Sequence, residues 1–201
     1  MDGEAERTAP ERPAAPASGR RWLWLLRHAK AVSEAPKGGG DRERPLAPRG
    51  RRDAAALGKA LAAGSGPFGT GRAERPELVV CSPALRARQT AELLLESGRT
   101  PLPLEFATDL YAADVDTALA VVRGLGDGTS SVLVVGHNPT MFDLALELVA
   151  DEPDEPGAGR AEVTARAFPT CALAALYFPV DSWREVDLGT GELRGLYTPP
   201  Y

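Results

Sequence analysis

Two histidines occur in the 201 residues, His28 and His137, and each stands just past the end of an apolar run. Trp22-Leu23-Trp24-Leu25-Leu26 leads into Arg27-His28, and Ser131-Val132-Leu133-Val134-Val135 leads into Gly136-His137-Asn138-Pro139. A third run, Leu78-Val79-Val80-Cys81, ends in Ser82, with Arg86 four residues on. Guanidinium groups gathered at one place bind a doubly charged phosphoryl group through paired hydrogen bonds, and an imidazole among them can attack phosphorus. The attack needs a neutral ring, and neighbouring cations lower an imidazole's pKa and help keep it neutral. Phosphoryl transfer asks mainly for positioning and charge neutralisation, which arginines supply without a metal. Two distant histidines with no carboxylate cluster at ligand spacing make a weak case for a metal site, so no metal and no cofactor are expected. Cys81 is a rival nucleophile only if an arginine follows five intervening residues, but Ala87 holds that position. Cys81 is therefore expected to be a small buried residue.

Positioning these groups requires strands that are buried on both faces. Apolar runs without alternation have that character, typical of the middle of a parallel sheet covered by helices. Open α/β sheets bind ligands at the carboxyl ends of such strands. Two of them side by side and parallel would bring both imidazoles into one pocket. Ser82-Pro83 reads as a helix start, with the serine as N-cap and the proline in the first turn. The helix over residues 84–95 would then offer its N-terminus and Arg86 as an anion site. Residues 31–48 form a long connection containing Gly38-Gly39-Gly40, and a loop of that length commonly covers a substrate. Helices are expected from Pro48 to Leu61, over 114–125, and from Asn138-Pro139 to Val149. Residues 102–106 suit an edge strand because of their prolines. Residues 171–178 and 183–188 suggest an antiparallel hairpin on the sheet edge. The fold expected is α/β, with a mostly parallel central sheet and that C-terminal hairpin at its edge. Gly64-Ser65-Gly66-Pro67-Phe68-Gly69 matches a dinucleotide fingerprint literally, but it follows a helix and leads into a strand, so it reads as a connector.

Composition narrows the class further. Apolar residues make up 43% of the chain, enough to bury an ordinary domain core, and the net charge is −5. Residues 20–90 carry fifteen Lys and Arg against six Asp and Glu, whereas residues 91–201 carry six against eighteen. The basic part contains Arg27-His28, which suits an anionic ligand. No nucleic-acid motif accompanies it and the chain is acidic overall, so nucleic acid is not an expected partner. Two cysteines 90 residues apart, Cys81 and Cys171, form no disulfide framework and suit a reducing compartment. Residues 1–20 lack an apolar segment and read as a disordered tail on a domain spanning 21–201, without signal peptide or membrane anchor. The expected location is cytoplasmic.

Taken in order, Arg27-His28-Ala29-Lys30, Asp41-x-x-Arg44-Pro45-Leu46, the stretch from Ser82-Pro83 through Arg86 to Gln89-Thr90, Gly136-His137-Asn138-Pro139 and Phe168-Pro169-Thr170 resemble the histidine phosphatase superfamily. The likeness is greatest to the SixA-like phosphohistidine phosphatases, over roughly residues 22–190. It implies a three-layer α/β/α fold like that of phosphoglycerate mutase. It further implies His28 as the group transiently phosphorylated, and Arg27, Arg86 and His137 as holders of the phosphoryl oxygens. Arg44 and Asn138 are the implied additional substrate-binding residues. Helical periodicity alone leaves Arg86 and Arg88 as alternatives, and the motif selects Arg86. The mutase-like branch carries a glutamate proton donor; Glu105, Asp109 and Asp114 are the candidates here, and none matches well. The expected activity is removal of phosphate from phosphohistidine in a signalling protein. Alternatives are a small-molecule phosphomonoesterase, or a phosphate-binding module without turnover. The expected partner is a phosphorylated protein or a small phosphorylated substrate, with no membrane.

Overall fold

The computed structural model describes residues 19–64, 75–151 and 158–200. Most of the expected tail, most of the glycine-rich connector and most of the acidic stretch after Asp151 lie outside them. Six strands form one sheet in the order β3-β2-β4-β1-β5-β6. They are β1 (Arg21–Arg27), β2 (Leu78–Cys81), β3 (Leu104–Phe106), β4 (Ser131–Gly136), β5 (Leu173–Phe178) and β6 (Glu192–Tyr197). Strands β1 to β4 run parallel, β5 runs antiparallel to β1, and β6 pairs antiparallel with β5 at the edge.

Both faces of the sheet are covered, which explains why its central strands are apolar without alternation. Leu23 and Leu25 of β1 point into one core with Val132 and Val134 of β4. Helices α3 (Val115–Arg123) and α4 (Thr140–Leu148) cover that side through Leu119, Val122, Leu144 and Leu148, and α5 (Ala158–Ala165) adds Val163. Trp22, Trp24 and Leu26 point the other way, onto α1 (Pro48–Ala63) and α2 (Leu85–Gly98), where Leu57, Ala87, Ala91 and Leu94 are buried. The arrangement is three-layered, and the helices against β1 and β4 leave only the strand ends open to solvent.

Two expectations are corrected. The second hairpin strand is β6, not residues 183–188, because Trp183–Glu185 forms a 3-10 helix. Ser182 accepts from Arg184 N and the Glu185 carboxylate accepts from Ser182 N, while Trp183 is fully buried with its indole donating to Thr129 O at 2.7 Å. Burial of the indole and the local cap together outweigh the alternating pattern that suggested a strand. Helix α2 also starts later than Ser82-Pro83 implies: Ala84 is its N-cap residue, and no side chain caps it. The Ser82 hydroxyl is instead drawn toward the site.

Candidate active site

Strand register creates the pocket. Arg27 pairs with Gly136 across the parallel β1/β4 ladder, so His28 and His137 leave the sheet at the same level. His28 N donates to Gly136 O at 3.0 Å, and the two ring centroids stand 5.0 Å apart. The His28 ring is held at both nitrogens. Nδ1 lies 2.8 Å from Ala29 O, and since a carbonyl only accepts, Nδ1 carries the proton. Nε2 then keeps its lone pair and accepts from Arg86 Nε at 3.2 Å. Burial lowers the His28 pKa to about 3, opposed by the Ala29 hydrogen bond and assisted by His137, Arg86 and Arg27. Desolvation, more than the cations that the sequence emphasised, keeps this imidazole neutral.

His137 is buried, and Ser82 Oγ lies 2.8 Å from its Nε2. Its Nδ1 is buried and has no hydrogen-bond partner among the described residues. Burial, followed by the Arg86 charge, lowers the His137 pKa to about 4, with Asp41 opposing and Arg44 and Arg27 adding smaller effects.

Arg86 stands in the first turn of α2 and is 5% exposed, whereas the Arg88 side chain is 49% exposed and faces Glu92. The helix therefore turns Arg86 inward, as the motif implied and periodicity alone left open. Arg86 Nη1 donates to Asp41 O at 2.7 Å and Nη2 to Asp41 Oδ2 at 3.0 Å. Arg44 Nε and Nη2 reach Asp41 Oδ1 at 2.8 and 2.7 Å, and Tyr111 OH donates to Oδ2 at 2.9 Å. Arg27 Nη1 and Asn138 Nδ2 share one acceptor, Phe168 O, at 3.0 and 3.2 Å. The loop from Ala29 to Leu46 is tied to α2 by two further groups of the motif: Ala29 N donates to Thr90 Oγ1 at 3.0 Å and Leu46 N to Gln89 Oε1 at 2.8 Å.

Among the described residues Asp41 is the carboxylate that reaches this cluster, a role that its place in the Asp41-x-x-Arg44 motif does not by itself reveal. Burial pushes its pKa up, but hydrogen bonds from Tyr111, Arg44 and Arg86, with the Arg86 charge, outweigh that and hold it at about 2. It is an anion at neutral pH. Its i,i+3 spacing to Arg44 was a readable signal; its partners Tyr111 and Arg86 were not. The three acids considered as proton donors are exposed: Glu105 on edge strand β3, Asp109 in a 3-10 helix, and Asp114 as the cap of α3, accepting from Thr117 N at 2.9 Å. Cys81 is fully buried, and burial pushes its thiol up to about 12, which leaves it inert. Among the described residues no group of three His, Cys, Asp or Glu is placed to hold a metal ion.

A site of this composition can bind a tetrahedral oxoanion and present it to a neutral imidazole nitrogen. Residues 23–115 match the model of the histidine phosphatase superfamily, branch 1. An uncharacterized protein of Mycobacterium tuberculosis H37Rv is 37% identical over 176 residues, covering 87% of this chain and 99% of the relative. The chain belongs to the histidine phosphatase superfamily. Within it, the chain is similar to SixA proteins. The solved SixA of Nakamurella multipartitia, proposed to be a phosphohistidine phosphatase, superposes with a TM-score of 0.72 at 33% identity, over 90% of this chain and 98% of that one. The protein histidine phosphatase SixA solved with tungstate gives a TM-score of 0.64 at 25% identity, over 87% and 95%. This histidine phosphatase shares its overall fold with them. Among the described residues no helix is long and apolar enough to cross a membrane.

Proposed function

We propose that the protein is a metal-independent phosphatase that carries the phosphoryl group on His28 Nε2, and that its substrate is phosphohistidine in a signalling protein. The observation that carries this reading is the state of His28. Its Nδ1 proton is committed to Ala29 O, so the lone pair on Nε2 faces Arg86 at 3.2 Å, where a phosphoryl group would be neutralised. In the first step Nε2 attacks phosphorus in line, and the P–N bond to the substrate imidazole breaks. The electron pair goes to the leaving nitrogen, and the protonated ring departs neutral. Water then attacks the phosphoenzyme, inorganic phosphate leaves, and the His28 lone pair is restored.

Arg86, Arg27 and His137 hold the phosphoryl oxygens. Ser82 Oγ, 2.8 Å from His137 Nε2, holds that ring in place beside His28. Arg44 joins by exchanging part of its contact with Asp41 for the phosphoryl group. Asn138 acts less directly: its amide is given to Phe168 O, the carbonyl that also orients Arg27.

The substrate class follows from protonation. An alkyl phosphate expels an alkoxide and needs a positioned acid, typically worth a factor of about 10² to 10⁴. Asp41, the carboxyl group in the site, is ionised and paired with arginines. A phosphohistidine needs no such acid, because its ring can be protonated before it leaves. The test combines acid-labile phosphoenzyme mapping by mass spectrometry with a substrate comparison. Label on the His28 peptide, and kcat/KM for a phosphohistidine peptide or phosphoramidate at least about a hundredfold above that for a sugar phosphate, are the expected results. Equal efficiency on alkyl phosphates would overturn the substrate assignment, and phosphorylation elsewhere would overturn the nucleophile.

A further inference from the structure

Beside the pocket lies a cavity that the reaction scheme does not use. It measures about 350 Å³ and is lined by Arg42, Glu43, Pro83, Leu85 and Arg88. Two of its walls are cationic, and neither arginine is held in a tight pair. Arg88 Nε stands 3.5 Å from Glu92, with both side chains about half exposed. The Arg42 guanidinium lies 4.7 Å above the Tyr111 ring, a cation–π contact that places the group without neutralising it. Glu43 is turned to its own backbone, accepting from Gly40 N at 2.8 Å.

Four of its five lining residues adjoin residues of the site in the chain, and Arg88 lies two residues beyond Arg86. Arg42 follows Asp41, which holds Arg86; Leu85 precedes Arg86; Pro83 follows Ser82, the partner of His137. An anion resting between Arg42 and Arg88 would thus lie beside the segments that carry Asp41, Ser82 and Arg86. Pro83 and Leu85 supply apolar surface for the methylene groups of an acidic side chain. Lys30, Arg49, Arg51 and Arg52 are also exposed, near the end of β1 and at the start of α1.

We propose that the cavity between Arg42 and Arg88 is a second anion subsite, which takes an acidic side chain of the phosphorylated protein while its phosphohistidine occupies the pocket. This rests on the substrate reading of the preceding subsection. It makes the enzyme selective for phosphohistidines with Asp or Glu nearby in the folded or linear sequence, and makes that selectivity sensitive to salt.

The test uses the full chain and its R42Q/R88Q variant at low ionic strength. The substrates are phosphoramidate and two phosphohistidine peptides, one with Asp and Glu flanking the phosphohistidine and one with Asn and Gln in their place. Wild type is expected to favour the acidic peptide by about three- to tenfold in kcat/KM, the range of one or two exposed ion pairs. The variant is expected to lose that preference and keep its rate on phosphoramidate. A wild type without preference, a variant that retains it, or an equal loss on phosphoramidate would overturn the assignment of the subsite to an acidic side chain. A sugar bisphosphate and the matching monophosphate, used as competitive inhibitors, separate the sources of the anion. A bisphosphate advantage that disappears in the variant, with no discrimination between peptides, would uphold an anion subsite and overturn its assignment to a protein side chain. If wild type cleaves an aryl phosphate but no phosphohistidine compound, the substrate reading has failed. The subsite is then judged separately, by whether the unphosphorylated acidic peptide inhibits aryl phosphate hydrolysis in wild type and not in the variant.

Discussion

The chemistry of this site turns on which imidazole nitrogen carries a proton. The Ala29 carbonyl fixes that for His28, and burial keeps the ring neutral far below an ordinary histidine pKa. Replacing His28 with Ala is expected to lower turnover by more than about a thousandfold, roughly 4 kcal/mol of barrier, while far-UV circular dichroism stays unchanged because the ring belongs to neither hydrophobic core. Arg86→Ala is expected to cost at least about a hundredfold in kcat, as for loss of a donor aimed at developing charge, and Arg88→Ala less than about threefold on phosphoramidate. The reverse order would mean that the other arginine faces phosphorus. Asp41 has two opposed effects: it orients Arg44, Arg86 and Tyr111, and it reduces the positive charge that an oxoanion meets. Asp41→Asn is therefore expected to tighten inhibition by phosphate or tungstate by about three- to tenfold while lowering kcat. Steady-state kinetics with tungstate as competitor check this split, and a loss of tungstate affinity would contradict it.

At the scale of elements, two close approaches hold the site in shape. Helix α1 lies against α2 at Gly58, where an added Cβ would meet Leu94 O at 2.2 Å, and against the segment after His28 at Gly50, where it would meet Lys30 O at 2.1 Å. Backbone carbonyls cannot turn aside as a flexible side chain does, so each helix would have to move as a whole. Gly58→Ala is expected to destabilise by about 2 to 3 kcal/mol, the upper part of the range for overpacking. For a chain of this length that is a fall in Tm of roughly 4 to 12 °C, measurable by differential scanning calorimetry. An unchanged Tm would show that α1 and α2 can part without cost. The β1/β4 ladder matters equally for function. Parallel pairing of Arg27 with Gly136 sets both histidines at one level, and a shift by one residue would turn one of them toward the opposite face.

For the whole molecule, the two neutral histidines tie stability to pH. Both folded-state pKa values lie below 6.5, at about 3 for His28 and about 4 for His137. Below pH 6.5 the unfolded chain takes up protons that the folded chain refuses, so the unfolded state gains and stability declines as pH falls toward 4. Above 6.5 the two groups contribute no slope. Urea denaturation is expected to give a lower midpoint at pH 5 than at pH 7, and the difference is expected to shrink in a His28→Asn/His137→Asn variant. The same slope in the variant would assign the effect to other groups. The uneven charge of the chain belongs to this scale as well, since Arg27, Arg44 and Arg86, whose charges act on His137, all come from the basic part of the chain.

Read alone, the amino-acid order determined the strands that carry His28 and His137, the helix that carries Arg86, and the family to which these motifs belong. Those features are local: a run buried on both faces is apolar throughout, and Pro48 marks a helix start whatever the rest of the chain does. The partners of the site were decided by tertiary structure. Ser82 has the residue type and position of a helix cap, yet it bonds His137, 55 residues away. Asp41 is joined to Arg86 across 45 residues and to Tyr111 across 70. Trp183 left a strand-like pattern for a 3-10 turn because its indole is buried against Thr129 O. Hydrophobic periodicity reports which face of a segment is covered, but not what covers it. Which hydroxyl, carboxylate or carbonyl meets a given side chain depends on strand order and register, and these exist only once the sheet has closed around its two cores.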